Sequence, residues 1–174
     1  MKKFELTSET KINIFGKKLF RIKALISFAD VEAGETGGWV EKEGNVNQSG
    51  DAWVSGNAEV SGNAEVSGDA EVSGNAWVYG NAEVYGNAKV YGNAEVSGDA
   101  EVYGNADYTT IHGFGTQFRT TTFFRCKDKK VRVACGCFFG TIPEFREQVK
   151  NTRKGKIAEE YLMIADLMEK HFEK

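Results

Sequence analysis

From Gly50 to Thr109 apolar and polar positions recur with a fixed period of six. The chain reads GDAWVS, GNAEVS, GNAEVS, GDAEVS, GNAWVY, GNAEVY, GNAKVY, GNAEVS, GDAEVY, GNADYT, ten hexads without an insertion. Glycine holds the phase back to Gly44 and Gly38, so the period covers the 72 residues from 38 to 109. Each position has a physical job. The valine is β-branched and suits a strand facing a core. The alanine is small enough to point inward where space is tight. The Gly-Asn or Gly-Asp pair supplies a corner, because these residues tolerate positive φ. The residues after alanine and after valine point outward, and there the sequence varies among Glu, Trp, Lys and Asp, and between Ser and Tyr. A flexible linker needs no valine and alanine at fixed phase, so the pattern predicts a solenoid of short strands.

The repeat resembles the hexapeptide-repeat family, which folds as a left-handed parallel β-helix. The resemblance implies three hexads per triangular coil of 18 residues and about four coils. At about 4.8 Å between stacked strands the prism is roughly 19 Å long. Eighteen residues per coil would sort the residue after alanine into three columns: Trp53, Glu71, Lys89 and Asp107; Glu59, Trp77 and Glu95; Glu65, Glu83 and Glu101. The residue after valine sorts with them, placing Tyr85 and Tyr103 beside the third column.

Open solenoid ends expose strand edges and invite aggregation, so the flanks read as caps. Residues 1–37 predict a hairpin, with strands near Phe4–Ile14 and Lys18–Ile26, then the turn DVEAGETGGWV (30–40), whose Trp39 is expected to cover the first coil. Residues 38–110 form the β-helix. Residues 111–174 predict a β-β-α-α cap, with strands at 117–125 and 129–138. Thr141 is the N-cap of a helix carrying Pro143 and Glu144 in its first turn, and a second helix runs from about Lys156 to Phe172. There Ile157, Tyr161, Ile164, Leu167 and Met168 fall at helical spacing. The fold class is mainly β. The lead-in turn and the strand-and-helix cap also resemble a recurring type of phage and prophage protein, loosely labelled polymer-forming or cytoskeletal-like. That resemblance implies a mobile-element origin and no defined activity.

With 41% apolar and 27% charged residues the chain can bury a core, which excludes disorder as a description of the whole. Twenty glycines against one proline fit regular corners. No run approaches the roughly 18 apolar residues of a membrane span, and MKKFELTSET lacks the apolar stretch of a signal peptide. A cytoplasmic protein is expected, in the host cytoplasm if phage-encoded, with no membrane partner. The net charge of −3 conceals an asymmetry: +5 over residues 1–25, −13 over 30–109, +5 over 117–133 and zero over 141–174.

Candidate chemistry is sparse. Hexapeptide acyltransferases use a histidine as general base beside a loop thrown out of the coils, usually between subunits. This repeat has neither histidine nor loop, and His112, in IHGFG, reads as a junction residue. His171 reads as a charge partner of a helix C-terminus. Two histidines exclude a three-histidine metal site. Cys126, Cys135 and Cys137 with His112 would make four zinc ligands, but CxC without a paired CxxC is weak, and buried reduced thiols are the simpler expectation. Cys135 and Cys137 alternate along the predicted strand and so share a face. No enzyme activity, cofactor or metal is expected.

The third column is the most informative. Three glutamates at about 4.8 Å repel by about 0.9 kcal/mol per neighbouring pair before screening, and the column contains no compensating charge. An acidic ladder beside Tyr85 and Tyr103 fits a basic protein surface, and would imitate a nucleic-acid backbone; the plainer role is solubility. Trp77, outward between Glu59 and Glu95, calls for contact with the C-terminal cap, another subunit or a partner. The partner-binding residues expected are thus Glu65, Glu83, Glu101, Tyr85, Tyr103, Trp77, Glu59 and Glu95. The expected partner is a protein, such as a host defence or nucleic-acid-binding protein, rather than nucleic acid itself. An anti-CRISPR-like inhibitor is the concrete version. A self-assembling scaffold is the alternative. Less favoured is an acyltransferase or nucleotide-ligand binder between subunits, with His112, Tyr108 and the cysteines lining its site. A homo-oligomer, dimer or trimer, is expected in either case.

Overall fold

A computed structural model describes residues 1–173. Nine two-residue strands stack in three parallel columns. The first holds β4 (Trp53–Val54), β7 (Glu71–Val72) and β10 (Lys89–Val90). The second holds β5 (Glu59–Val60), β8 (Trp77–Val78) and β11 (Glu95–Val96). The third holds β6 (Glu65–Val66), β9 (Glu83–Val84) and β12 (Glu101–Val102). The 18-residue register holds throughout: Trp53 lies on Glu71, Glu59 on Trp77, Glu65 on Glu83. The result is a parallel β-solenoid of about four turns, with three faces.

Every repeat valine and alanine from Ala52 to Val102 is buried, at 1% exposure or less. The corners explain the glycine. Gly74 has φ +70°, and a Cβ there would lie 3.0 Å from the backbone nitrogen and oxygen of Gly92 one coil above. L-residues avoid that conformation, and the stacked backbones leave no space for a side chain. The following Asn or Asp does more than tolerate the turn. Asn57, Asn75 and Asn93 form a hydrogen-bonded amide ladder at 3.3 Å per step, and Asn63, Asn81 and Asp99 a second at 3.2 Å.

At the N-terminal end β1 (Phe4–Ile12), β2 (Lys18–Ala24) and β3 (Thr36–Val40) form an antiparallel meander, and β3 pairs in parallel with β5. Trp39 does not lie over the first coil as expected. It sits in β3 opposite Glu59 and adds a rung to the second face, with Lys11 Nζ and the Arg21 guanidinium 4.6 and 4.9 Å from its ring centre. The coil end is closed instead by Trp53, which Phe4 and Phe28 meet edge-on at 6.2 and 5.4 Å. Carbonyls of the first two coils that have no coil strand beneath them are met by side-chain donors. The buried Lys3 ammonium donates to Gly50 O (3.1 Å) and Ala52 O (2.7 Å), and Asn45 Nδ2 donates to Gly62 O (3.2 Å) and Ala64 O (2.8 Å). Burial holds the Lys3 pKa below the ordinary lysine range.

The C-terminal cap has four strands where two were expected: β13 (Tyr108–Phe114), β14 (Arg119–Arg125), β15 (Val131–Cys135) and β16 (Phe138–Thr141), an antiparallel sheet in that order. The expected strand 129–138 is broken by a tight turn at Gly136, φ +61°, so Cys135 and Cys137 do not share a strand face. β13 carries Gly113 and is followed by Gly115, in IHGFG, which hides it from a propensity reading. The sheet is buried on both faces. Phe124 and Ala134 join the solenoid core, while Phe123 and Val133 join a second core with the helices.

Helix α1 (Ile142–Thr152) begins at the expected N-cap, Thr141, which closes a capping box with Glu144: Thr141 N–H donates to Glu144 Oε2 (2.7 Å), and Glu144 N–H to Thr141 Oγ1 (3.4 Å). Helix α2 (Gly155–Phe172) buries Tyr161, Ile164, Ala165, Met168 and Phe172. Leu167 leaves the expected stripe and is 58% exposed, because the buried residues step by three and four around the opposite side of the helix. No helix among the described residues is long and apolar enough to cross a membrane.

Candidate partner-binding face

The eight expected residues fall on two faces, and the two meet different fates. The second face, Glu59, Trp77 and Glu95, is largely covered. The β1–β2 loop is tied by Asn13 Oδ1, which accepts from the Phe15 and Lys17 amides at 3.0 and 2.9 Å. This projects Phe15 onto the solenoid, 6.0 Å from the Trp77 ring and 4.8 Å from the Tyr79 ring. Lys11 pairs with Glu59 at 2.7 Å. Tyr79 donates its hydroxyl to the Glu95 carboxylate, and the Glu95 amide donates to Thr122 Oγ1 at 3.0 Å. Burial first, and then the Glu95 hydrogen bond, push the Tyr79 hydroxyl up to about 12. Trp77 therefore finds its contact within the chain, in the N-terminal hairpin and not in the C-terminal cap that was expected.

The third face stays open at one end and is clasped at the other. Cys126 and Ala100 form a bridge, and the Lys127 amide donates to Asp99 O at 3.1 Å, so the turn between β14 and β15 docks beside the last coil. From that turn Lys127 reaches Glu83 at 2.6 Å and Lys129 reaches Glu101 at 3.0 Å. The ladder thus receives from the cap the compensation its own column lacks. Tyr85 donates to Glu101 at 2.7 Å, which lifts the phenol to about 12. The same bond, then Lys129, holds the Glu101 carboxyl below the usual carboxylate range. Tyr103 meets Tyr85 edge-on at 5.2 Å and is 60% exposed. At the other end Glu65 is exposed, as are Asp51 and Asp69 at the neighbouring corner, and none of the three makes an ion pair among the described residues.

The first face is more neutral. Trp53 is buried beneath the N-terminal cap, and Lys89 pairs with Glu71 at 2.9 Å. Tyr91 is exposed beside Tyr108, whose hydroxyl donates to Lys89 O.

The residues considered for catalysis or zinc are dispersed. Cys126 is buried in the solenoid core, where burial pushes its thiol up to about 11. Cys135 packs with the helices and accepts a hydrogen bond from Thr121 Oγ1 at 3.1 Å. Cys137 is exposed on its turn, against the expectation of a buried thiol. His112, on β13, lies 3.2 Å from Thr120 Oγ1. Among the described residues no group of three His, Cys, Asp or Glu side chains is placed to hold a metal ion.

Two kinds of contact escaped the sequence reading: Phe15 on the second face, and Lys127 and Lys129 on the third. The signals were an apolar residue at a hairpin tip, NIFGK, and a dense basic turn, CKDKK. Neither says which coil it will reach. Comparison with protein-family models finds none that matches this chain, and a search of curated proteins finds no relative.

Proposed function

We propose that this is a non-enzymatic binding protein of phage or prophage type, whose third solenoid face engages a basic surface on a protein partner. The single observation that supports it most is the state of that face. It pairs unpartnered acids, Glu65 with Asp51 and Asp69, with an exposed tyrosine, Tyr103, on a backbone held rigid by stacked coils. Carboxylates at strand spacing offer a row of negative charge to a groove built for phosphates, and an exposed tyrosine offers an aromatic anchor. The partner class this fits is a nucleic-acid-binding protein, a host defence effector being the concrete case, with the solenoid occupying its groove. Self-assembly by end-to-end stacking is the weaker reading, because side chains cover both coil ends: Lys3 of the N-terminal cap with Asn45 of the lead-in turn at one, Asn105 of the last hexad with Thr122 of the C-terminal cap at the other.

The test is capture of partners from nuclease-treated host lysate by the tagged protein and by the variant Glu65→Lys with Tyr103→Ala, which leaves Glu83, Glu101 and their lysines untouched. One nucleic-acid-handling protein is expected to co-purify in stoichiometric amount with the wild type, to weaken with salt, and to be lost with the variant. A partner retained undiminished by the folded variant would refute the face.

A further inference from the structure

We infer that α2 pairs with α2 of a second copy, antiparallel about a two-fold axis, to make a homodimer through the C-terminal cap. The helix is amphipathic twice over. One side is buried against the sheet and α1 through Tyr161, Ile164, Ala165, Met168 and Phe172. The opposite side carries Met163 and Leu167, 70% and 58% exposed, one turn apart. An exposed Met-Leu pair on a regular helix leaves most of its apolar surface uncovered in a single copy.

The charges around that pair argue for what covers it. Along the exposed stripe the order is base, acid, apolar, base: Lys156, then Glu159 and Glu160, then Met163 and Leu167, then Lys170 and His171. A two-fold axis beside residue 165 sets Met163 against Leu167 of the second copy. The same axis sets Glu160 against Lys170, and Glu159 against His171, at both ends of the contact. This is the self-complementarity that an isologous interface requires. A parallel arrangement would oppose Glu160 to Glu160 and is disfavoured. The other acids of this helix are already engaged: Arg146 of α1 holds Asp166 at 2.8 Å and Glu169 at 2.6 Å, which fixes α2 in place. Glu160 has a looser contact, 3.6 Å to Lys156, whose side chain is 86% exposed. The helix therefore offers a rigid, chemically self-matched surface for a two-helix seam. The inference is independent of the third face, which lies on the solenoid.

The experiment is sedimentation velocity of the full chain over about 10 to 500 µM, the range appropriate to a small interface. The expected result is a shift from a 19.2 kDa species toward twice that mass. Met163→Glu with Leu167→Glu should keep the protein monomeric throughout. Glu160→Lys alone and Lys170→Glu alone should each weaken association by about tenfold, while the two together on one chain restore it to within about threefold. All four positions are on the surface, and circular dichroism checks that the helices persist. If the apolar variant loses its fold, the two charge variants and their combination carry the test. A wild type that stays monomeric at the highest concentration overturns the inference. So does a dimer indifferent to the apolar variant, or a combined swap that fails to restore association.

Discussion

Replacing Phe15 with alanine should uncover the second face. Phe15 is 47% exposed, so about half its ring is covered, and that covering is the rings of Trp77 and Tyr79. Full burial of a phenylalanine is worth about 1.5–3 kcal/mol, so half contributes about 1 kcal/mol. Each aromatic pair adds about 0.5 kcal/mol at the low end suited to a half-exposed site. Phe15→Ala should therefore cost about 2 kcal/mol, a fall in Tm of about 4–8 °C for a chain of this size. The loss is local, so a second readout matters. Of the three tryptophans, Trp39 and Trp53 are 7% and 5% exposed while Trp77 is half-buried. Removing Phe15 should raise acrylamide quenching of tryptophan fluorescence, and adding Trp77→Phe should abolish the increase. Unchanged quenching together with unchanged stability would show that the hairpin tip does not cover Trp77, and the second face would return as a candidate binding surface.

Two further outcomes follow from the coils. Gly74→Ala should cost more than the 1–2 kcal/mol of left-handed strain alone, because its Cβ meets the Gly92 backbone at 3.0 Å, whereas Gly92→Ala, with φ +70° and nothing within 4 Å, should cost only about that strain; equal losses in urea unfolding would sink the close-approach argument. Tyr79, Tyr85 and Tyr108 have folded values near 12 against an ordinary 10, so their protonated forms stabilise the folded state fully below pH 10, and that contribution drains away as pH rises through about 12. Phenolate absorbance should show these three titrating late, together with Tyr161, whose hydroxyl is also pushed up by burial, with stability falling between pH 10 and 12; titration of Tyr79, Tyr85 and Tyr108 near 10 in a folded protein would contradict it.

What could be read from sequence was whatever repeats. Three positions of each hexad report directly on packing, and with the 18-residue coil that the family resemblance implies, the columns Trp53-Glu71-Lys89, Glu59-Trp77-Glu95 and Glu65-Glu83-Glu101 follow and are the ones observed. The N-cap at Thr141 is a local motif and was legible because the residues that make it are adjacent in the chain. The illegible part is non-periodic and long-range. Lys127 and Glu83 are 44 residues apart, and Phe15 and Trp77 are 62 apart, so no local pattern links them. In β13 and at Gly136 glycine misled, since it reads as a loop in one place and hid a strand boundary in the other.

The clasps also act as a ruler. Phe15 must find Trp77, and Lys127 and Lys129 must find Glu83 and Glu101, so each cap is indexed to particular rungs. Near-identical hexads are prone to gain or lose copies by slippage of the coding repeat. A change of one hexad would turn the C-terminal cap by a third of a revolution and present its lysines to the wrong face. A change of three hexads keeps every face in phase. Length variation in proteins built this way should therefore come in steps of eighteen residues, inserted between the rungs that the two caps grip.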